Sequence, residues 1–200
     1  VTAAQILGAA AFVSSLLFVW PQVVALFRTG DVDGVSVPAT LWASVAYVLW
    51  MIYGVREGLP FVVLANLQST VGFGVVVLLA ARRRPVPRPV WAAAATGVVL
   101  LGASAVAAPT AAVGALAIVA GASGFVPQAI VALREQDLSG LSITTYLLIA
   151  LSTSVWAAYG IAEADPFLVA PTVLILPCTL TIAVRIHLTA LRQAALLSAE

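Results

Sequence analysis

This sequence predicts an all-α integral membrane protein of seven transmembrane helices, arranged as two parallel three-helix bundles joined by one linker helix. Three observations carry that expectation. Of the 200 residues, 62% are apolar and only 8% charged, against about 25% charged in a soluble domain. Seven apolar runs long enough to cross a bilayer follow one another along the chain. Finally, WPQVVALFRTGDVDGVS, from Trp20, is written nearly again as VPQAIVALREQDLSGLS, from Val126.

So large an apolar surface cannot be hidden inside a globule of this size, so the expected solvent is lipid. Crossing about 30 Å of hydrocarbon takes roughly 20 helical residues. The runs that qualify are 4–27, 37–55, 59–81, 90–107, 111–133, 141–162 and 166–187. No small-residue cleavage site follows a basic flank in the first run, which therefore reads as a retained span. The fourth is the shortest and blandest, mostly Ala, Val, Gly and Leu. Short polar connectors separate the runs: TGDVDG, VREG, RRRPVPR, APT, REQDLSG and AEAD.

All nine basic residues are Arg, and their placement orients the helices. With the N-terminus outside, Arg28, Arg82, Arg83, Arg84, Arg88, Arg134, Arg185 and Arg192 fall on the inner side, and Arg56 alone lies outside. The C-terminus is then cytoplasmic. Trp91, just past the arginine cluster, suits an interfacial anchor.

Sliding the chain against itself by 106 residues gives 14 identities over positions 21–66 without a gap. Chance would supply about four in so apolar a composition. The matches fall on informative residues: Pro21/Pro127, Gln22/Gln128, Ser36/Ser142, Trp50/Trp156, Tyr53/Tyr159, Gly54/Gly160 and Pro60/Pro166. Duplication is the direct reading. Each copy has three spans, an odd number, so the fourth restores direction and both copies run the same way. The expected organisation is residues 1–81 as the first three-helix repeat, 82–109 as arginine loop and linker helix, and 110–200 as the second repeat with its tail. Trp20 and Trp42 have no partner in the repeat and read as packing residues.

The same composition excludes several functions. One Cys (Cys178) and one His (His187) build neither a disulfide framework nor a metal site. The absence of Lys rules out a retinal Schiff base. No nucleophile–base pair stands out, so an enzyme is not expected; neither is a cofactor or a nucleic-acid partner.

PQ near the end of a repeat's first helix, G-x-S opening its second and W-x-x-Y-G closing it resemble the PQ-loop superfamily. Within it the chain looks like the SWEET sugar transporters: WAAYGIAEADPFLVAPT (156–172) is similar to their second half, and WMIYGVREGLPFVVLAN (50–66) resembles the half-size SemiSWEETs. SWEETs are themselves a standing example of parallel repeats about an axis along the membrane normal, with the substrate site between them. The resemblance implies passive uniport of a small neutral sugar, mono- or disaccharide, by alternating access in the cell membrane. It implies a substrate site of Trp50, Asn66 and Trp156, with Thr172 standing where the family usually has Asn. A cytoplasmic gate falls on Pro21, Pro38 and Pro127, with Thr144 in the fourth place, and an extracellular gate on Tyr53 and Asp165. Gln22 and Gln128 would satisfy backbone groups freed by their prolines.

These residue types suit the chemistry. An indole covers the C–H face of a sugar. An Asn amide answers two neighbouring hydroxyls, whereas Thr offers a single hydroxyl. A neutral solute needs no buried charge, and the interiors of the spans hold no Asp, Glu, Lys or Arg. Two other readings are set against this one. A proton-coupled PQ-loop amino-acid transporter would want an intramembrane carboxylate, for which Asp165 is the nearest candidate. A non-transporting receptor like the KDEL receptors would want a basic pocket, yet the arginines gather at the inner surface. Whether the chain forms a homo-oligomer is open.

Overall fold

A computed structural model describes residues 1–197 except 31, 33, 34, 136, 137, 139 and 140, and leaves out the side chains of Gln22 and 193–197. The matches Asp31/Asp137 and Gly34/Gly140 that the same 106-residue shift makes, and the side-chain role of Gln22, lie outside the described residues. Eight helices form: α1 (Ala3–Thr29), α2 (Val37–Arg56), α3 (Pro60–Arg83), α4 (Arg88–Ala107), α5 (Thr110–Ala122), α6 (Phe125–Arg134), α7 (Ile143–Ala162) and α8 (Pro166–Leu197). No strand occurs among the described residues. α5 and α6 are two pieces of one span, 110–134, so seven segments are long and apolar enough to cross a membrane. Their order is three, one and three, as the sequence predicts.

The helix starts are set by short-range chemistry. Thr2 and Gln5 form a reciprocal capping box on α1. Ser36 and Ser142, the serines of the two G-x-S motifs, accept the backbone N–H of Ala39 and Thr145 at 3.4 Å, capping α2 and α7. Such caps contribute about 1 kcal/mol each. Pro38 then sits in the first turn of α2, where its missing N–H removes no helical bond, and Thr144 holds the same position in α7. At the other end of α1, Gly30 takes a left-handed conformation (φ 66°) and returns its N–H to Leu26. The Arg83 guanidinium packs against the bare Cα of Gly30, placing a cation at the negative end of the α1 dipole.

The two copies make the same α-hairpin. In the first, the Leu59 N–H bonds the Gly54 carbonyl at 2.8 Å; in the second, Asp165 bonds Gly160 at the same distance. A side chain at Gly54 would stand 3.0 Å from Val62, and one at Gly160 2.6 Å from Leu168. The glycines of W-x-x-Y-G are therefore structural: they let each repeat's second and third helices close at the turn. Gly58 takes φ +69° at the tip, and its counterpart Ala164 takes φ +55°.

Two compact units are found, Val1–Gly121 and Ala122–Glu200. The first packs α1 and α2 against α3 around Val19, Val23, Leu26, Val76, Val77 and Ala80. α4 packs on α2 and buries only Ala105 among its residues, leaving an apolar surface of the kind lipid requires. Arg56, the one arginine expected outside, donates to the carbonyls of Ala108 (2.6 Å) and Val106 (2.7 Å), closing the open end of α4. The second unit packs α6 and α7 on α8 around Ala129, Ala132, Leu138 and Ile182. Repeat boundaries record duplication, whereas compact units record packing.

Because a left-handed conformation costs an L-residue about 1–2 kcal/mol and glycine little, Ala164→Gly should raise stability by about 0.5–1 kcal/mol. Gly58→Ala should lower it by a similar amount. Thermal unfolding of the purified variants in detergent checks both signs.

Candidate functional site

Each unit carries the same aromatic pair. On α2, Trp50 meets Tyr53 edge-on, ring centroids 5.6 Å apart at 88°. On α7, Trp156 meets Tyr159 at 5.8 Å and 69°. Spacing of i, i+3 puts both rings on one helix face. The tyrosines are buried, Tyr53 to 2% and Tyr159 to 0% exposure, while both indoles remain half-buried. The buried ring is thus a prop that fixes the angle of the accessible one. Gly121 lies beside Trp50: a Cβ there would stand 3.8 Å from the indole nitrogen, and glycine leaves that space open.

Asn66 is buried on α3, and its amide nitrogen donates to the Val62 carbonyl at 2.7 Å. That bond fixes the side chain and leaves its carbonyl oxygen as the acceptor it can offer. Thr172, at the corresponding place on α8, directs its hydroxyl to the Thr153 carbonyl at 3.4 Å. The departure from Asn is therefore more than the loss of an amide. The replacement spends its one proton on α7 and keeps only oxygen lone pairs for a ligand.

Asp165 accepts the N–H groups of Phe167 (2.8 Å) and Leu168 (3.4 Å) through Oδ1. It is the N-cap of α8, a role its counterpart Leu59 cannot fill on α3. Tyr159 lies in the field of Glu163 and Asp165, so the carboxylates of AEAD face the phenol of their own hairpin. Of the gate residues, Pro21 lies inside uninterrupted α1, whereas Pro127 lies at the third residue of α6, after a break at Ser123–Gly124. The Gln128 side chain lies beside the Tyr146 phenol of α7.

One polar feature went unread in the sequence. Trp20 donates its indole N–H to Gln68 Oε1 at 2.9 Å, joining α1 to α3 at the turn that carries Asn66. Gln68 in turn donates to the Ala65 carbonyl (2.9 Å) and Ser69 Oγ (2.8 Å), and Ser69 is buried. The available signal was a Gln eight residues inside an apolar run, where an amide needs a partner. Among the described residues no cluster of His, Cys, Asp and Glu could hold a metal.

Comparison with known proteins gives the following. The sequence profile described as the PQ loop repeat matches residues 3–63 and again 110–169, more than half the chain. No curated protein sequence matches. Among solved structures, one titled as the 3.7 Å resolution structure of a eukaryotic SWEET transporter superposes with TM-score 0.75. It is 15% identical, over 94% of this chain and 99% of that one. The likeness extends to all seven spans and both repeats.

Proposed function

Because the chain belongs to the PQ-loop repeat family, we propose that it is a membrane transporter moving small neutral sugars down their gradient by alternating access. The observation that carries this reading is the repeated Trp–Tyr pair, each indole propped by a buried ring and followed sixteen residues later by a polar side chain. Trp50 and Trp156 offer apolar planes to the C–H faces of the sugar. Asn66 accepts from a hydroxyl through its free carbonyl oxygen, and Thr172 accepts through its lone pairs. The set is thus poorer in donors than two amides would be, which favours a substrate that donates.

Neutrality of the substrate is supported by charge placement. Among the described residues the acidic ones, Glu57, Glu135, Glu163 and Asp165, all lie between helices. A proton-coupled cycle would need an intramembrane group that titrates. Asp165, the nearest candidate, is engaged as the helix cap of α8, its Oδ1 taking two backbone N–H bonds outside the apolar run. We assign the gate facing the cytoplasm to the first and second helices of each repeat, with Pro21, Pro38, Pro127 and Thr144. Tyr53 and Asp165 belong to the opposite end. The N-terminus lies outside and the protein resides in the cell membrane.

Uptake of radiolabelled glucose and sucrose into proteoliposomes tests this. Trp50→Ala, Trp156→Ala and Asn66→Ala should each cut flux by roughly tenfold or more, as loss of about 1.4 kcal/mol of interaction would, while the proteins stay folded. Normal uptake by all three rejects the site. A second arm imposes a pH difference across the vesicle: the rate should not respond, and acceleration by an inward proton gradient would favour the proton-coupled amino-acid reading.

A further inference from the structure

The two repeats match in sequence yet differ in how their first helices are built, and the difference is concentrated at four aligned positions. Pro21 lies in an unbroken helix of 27 residues, whereas the span containing Pro127 is interrupted at Ser123–Gly124. A proline clashes with the carbonyl four residues before it, here Leu17 in the first copy and Ser123 in the second. Proline alone does not break these helices, since Pro171 and Pro177 also lie inside an uninterrupted one. What the second copy adds is Gly124, where the first has Phe18. Glycine is the weaker helix former, and with Pro127 three residues on, the ladder stops and restarts with Gly124 as N-cap. Its carbonyl takes the Gln128 N–H at 3.3 Å.

The first copy also has a brace that the second lacks. Trp20 and Gln68 bond across α1 and α3 at 2.9 Å; the aligned residues are Val126 and Leu174, which have no polar atoms. Below that bond Gly72 lets Val19 of α1 lie against α3 so closely that no side chain would fit, and the aligned residue is Cys178. The second copy instead ties α6 to its own partners. Arg185 of α8 donates to the carbonyls of Ala132 (3.0 Å) and Glu135 (3.3 Å) at the end of α6. The boundary between the compact units falls at Gly121–Ala122, beside the break.

We infer that the two repeats are mechanically unequal: the chain bends at Ser123–Gly124 during transport, while Trp20 and Gln68 act as positioning residues that hold α1 straight through Pro21. This rests on the transport reading for its consequence, but the location of the bend does not. α6 travels with α8, to which Arg185 bonds it, and the joint is the two-residue gap before it. Position 124 is open on every side, with nothing within 4 Å of where a Cβ would lie, so Gly124→Ala adds a helix-favouring methyl without a clash.

Hydrogen–deuterium exchange of the full chain in nanodiscs, read by mass spectrometry, locates the joint without any substrate. Amides of 123–126 should exchange roughly tenfold or more faster than those of 17–20. Equal protection of the two segments overturns the inference. In Gly124→Ala/Pro127→Ala, protection at 123–126 should rise and glucose exchange should slow by roughly fivefold, with glucose affinity unchanged. Pro21→Ala should slow exchange less than the double variant does. A rigidified fifth span with undiminished exchange, or a larger effect of Pro21→Ala than of the double variant, overturns it as well. Trp20→Val/Gln68→Leu, which copies the second repeat's residues, should loosen 17–20 specifically; unchanged protection there removes the brace. If wild type carries neither glucose nor sucrose, the sugar reading fails by itself and the exchange data still decide the joint.

Discussion

A backbone amide in hydrocarbon has no water to bond, and that constraint determines where this chain tolerates irregularity. Pro38, Pro60 and Pro166 occupy first turns, where no helical N–H is lost. Gly54 and Gly160 close hairpins whose carbonyls take the N–H groups of Leu59 and Asp165. Arg56 bonds the open carbonyls at the end of α4, and Arg185 those at the end of α6. The arginines are thus more than topological labels: those near helix C-termini finish hydrogen-bond ladders that lipid cannot.

With the backbone satisfied internally, the side chains left to meet a solute are few and uncharged. An indole set at a fixed angle by a buried phenol, and one amide with an N–H already engaged, would make the proposed site one that recognises shape and accepts hydrogen bonds. Such a site would match a neutral polyol better than a cation, because among the described residues no acidic side chain stands within a helix. The duplication places one such set in each half, but Thr172, bonded to α7, makes the sets chemically unequal just as Gly124 makes the helices structurally unequal. Alternation between two states requires differential contacts, and unequal halves supply them more readily than identical ones.

Most of the fold was legible because span length, Arg placement and a 106-residue repeat are properties of sequence that membrane physics fixes directly. The structure's seven spans agree with the apolar runs to within a few residues at most ends. The break in 110–134 was not legible by hydropathy, which reports the solvent around a segment and not the continuity of its helix. ASGFVP lies inside one apolar run, 110–134, and the spacing of Gly124 from Pro127 is what marks it. Arg56 read as an exception to the charge rule because its partners are carbonyls 50 and 52 residues away. Trp20 read as packing since its partner, Gln68, falls outside the repeat and pairs only in three dimensions. For the candidate site, the sequence carried identity without engagement. Asn66 and Thr172 were visible as amide and hydroxyl, while the backbone carbonyls they bond, Val62 and Thr153, were not.

The account turns on a neutral sugar being held by the propped indoles, and direct binding is its plainest trial. Purified protein titrated with glucose and with sucrose, followed by indole fluorescence and by thermal shift, should show saturable binding that is lost in Trp50→Ala/Trp156→Ala and unaffected by pH. Absence of binding up to saturating sugar, or equal binding by the double variant, would contradict it.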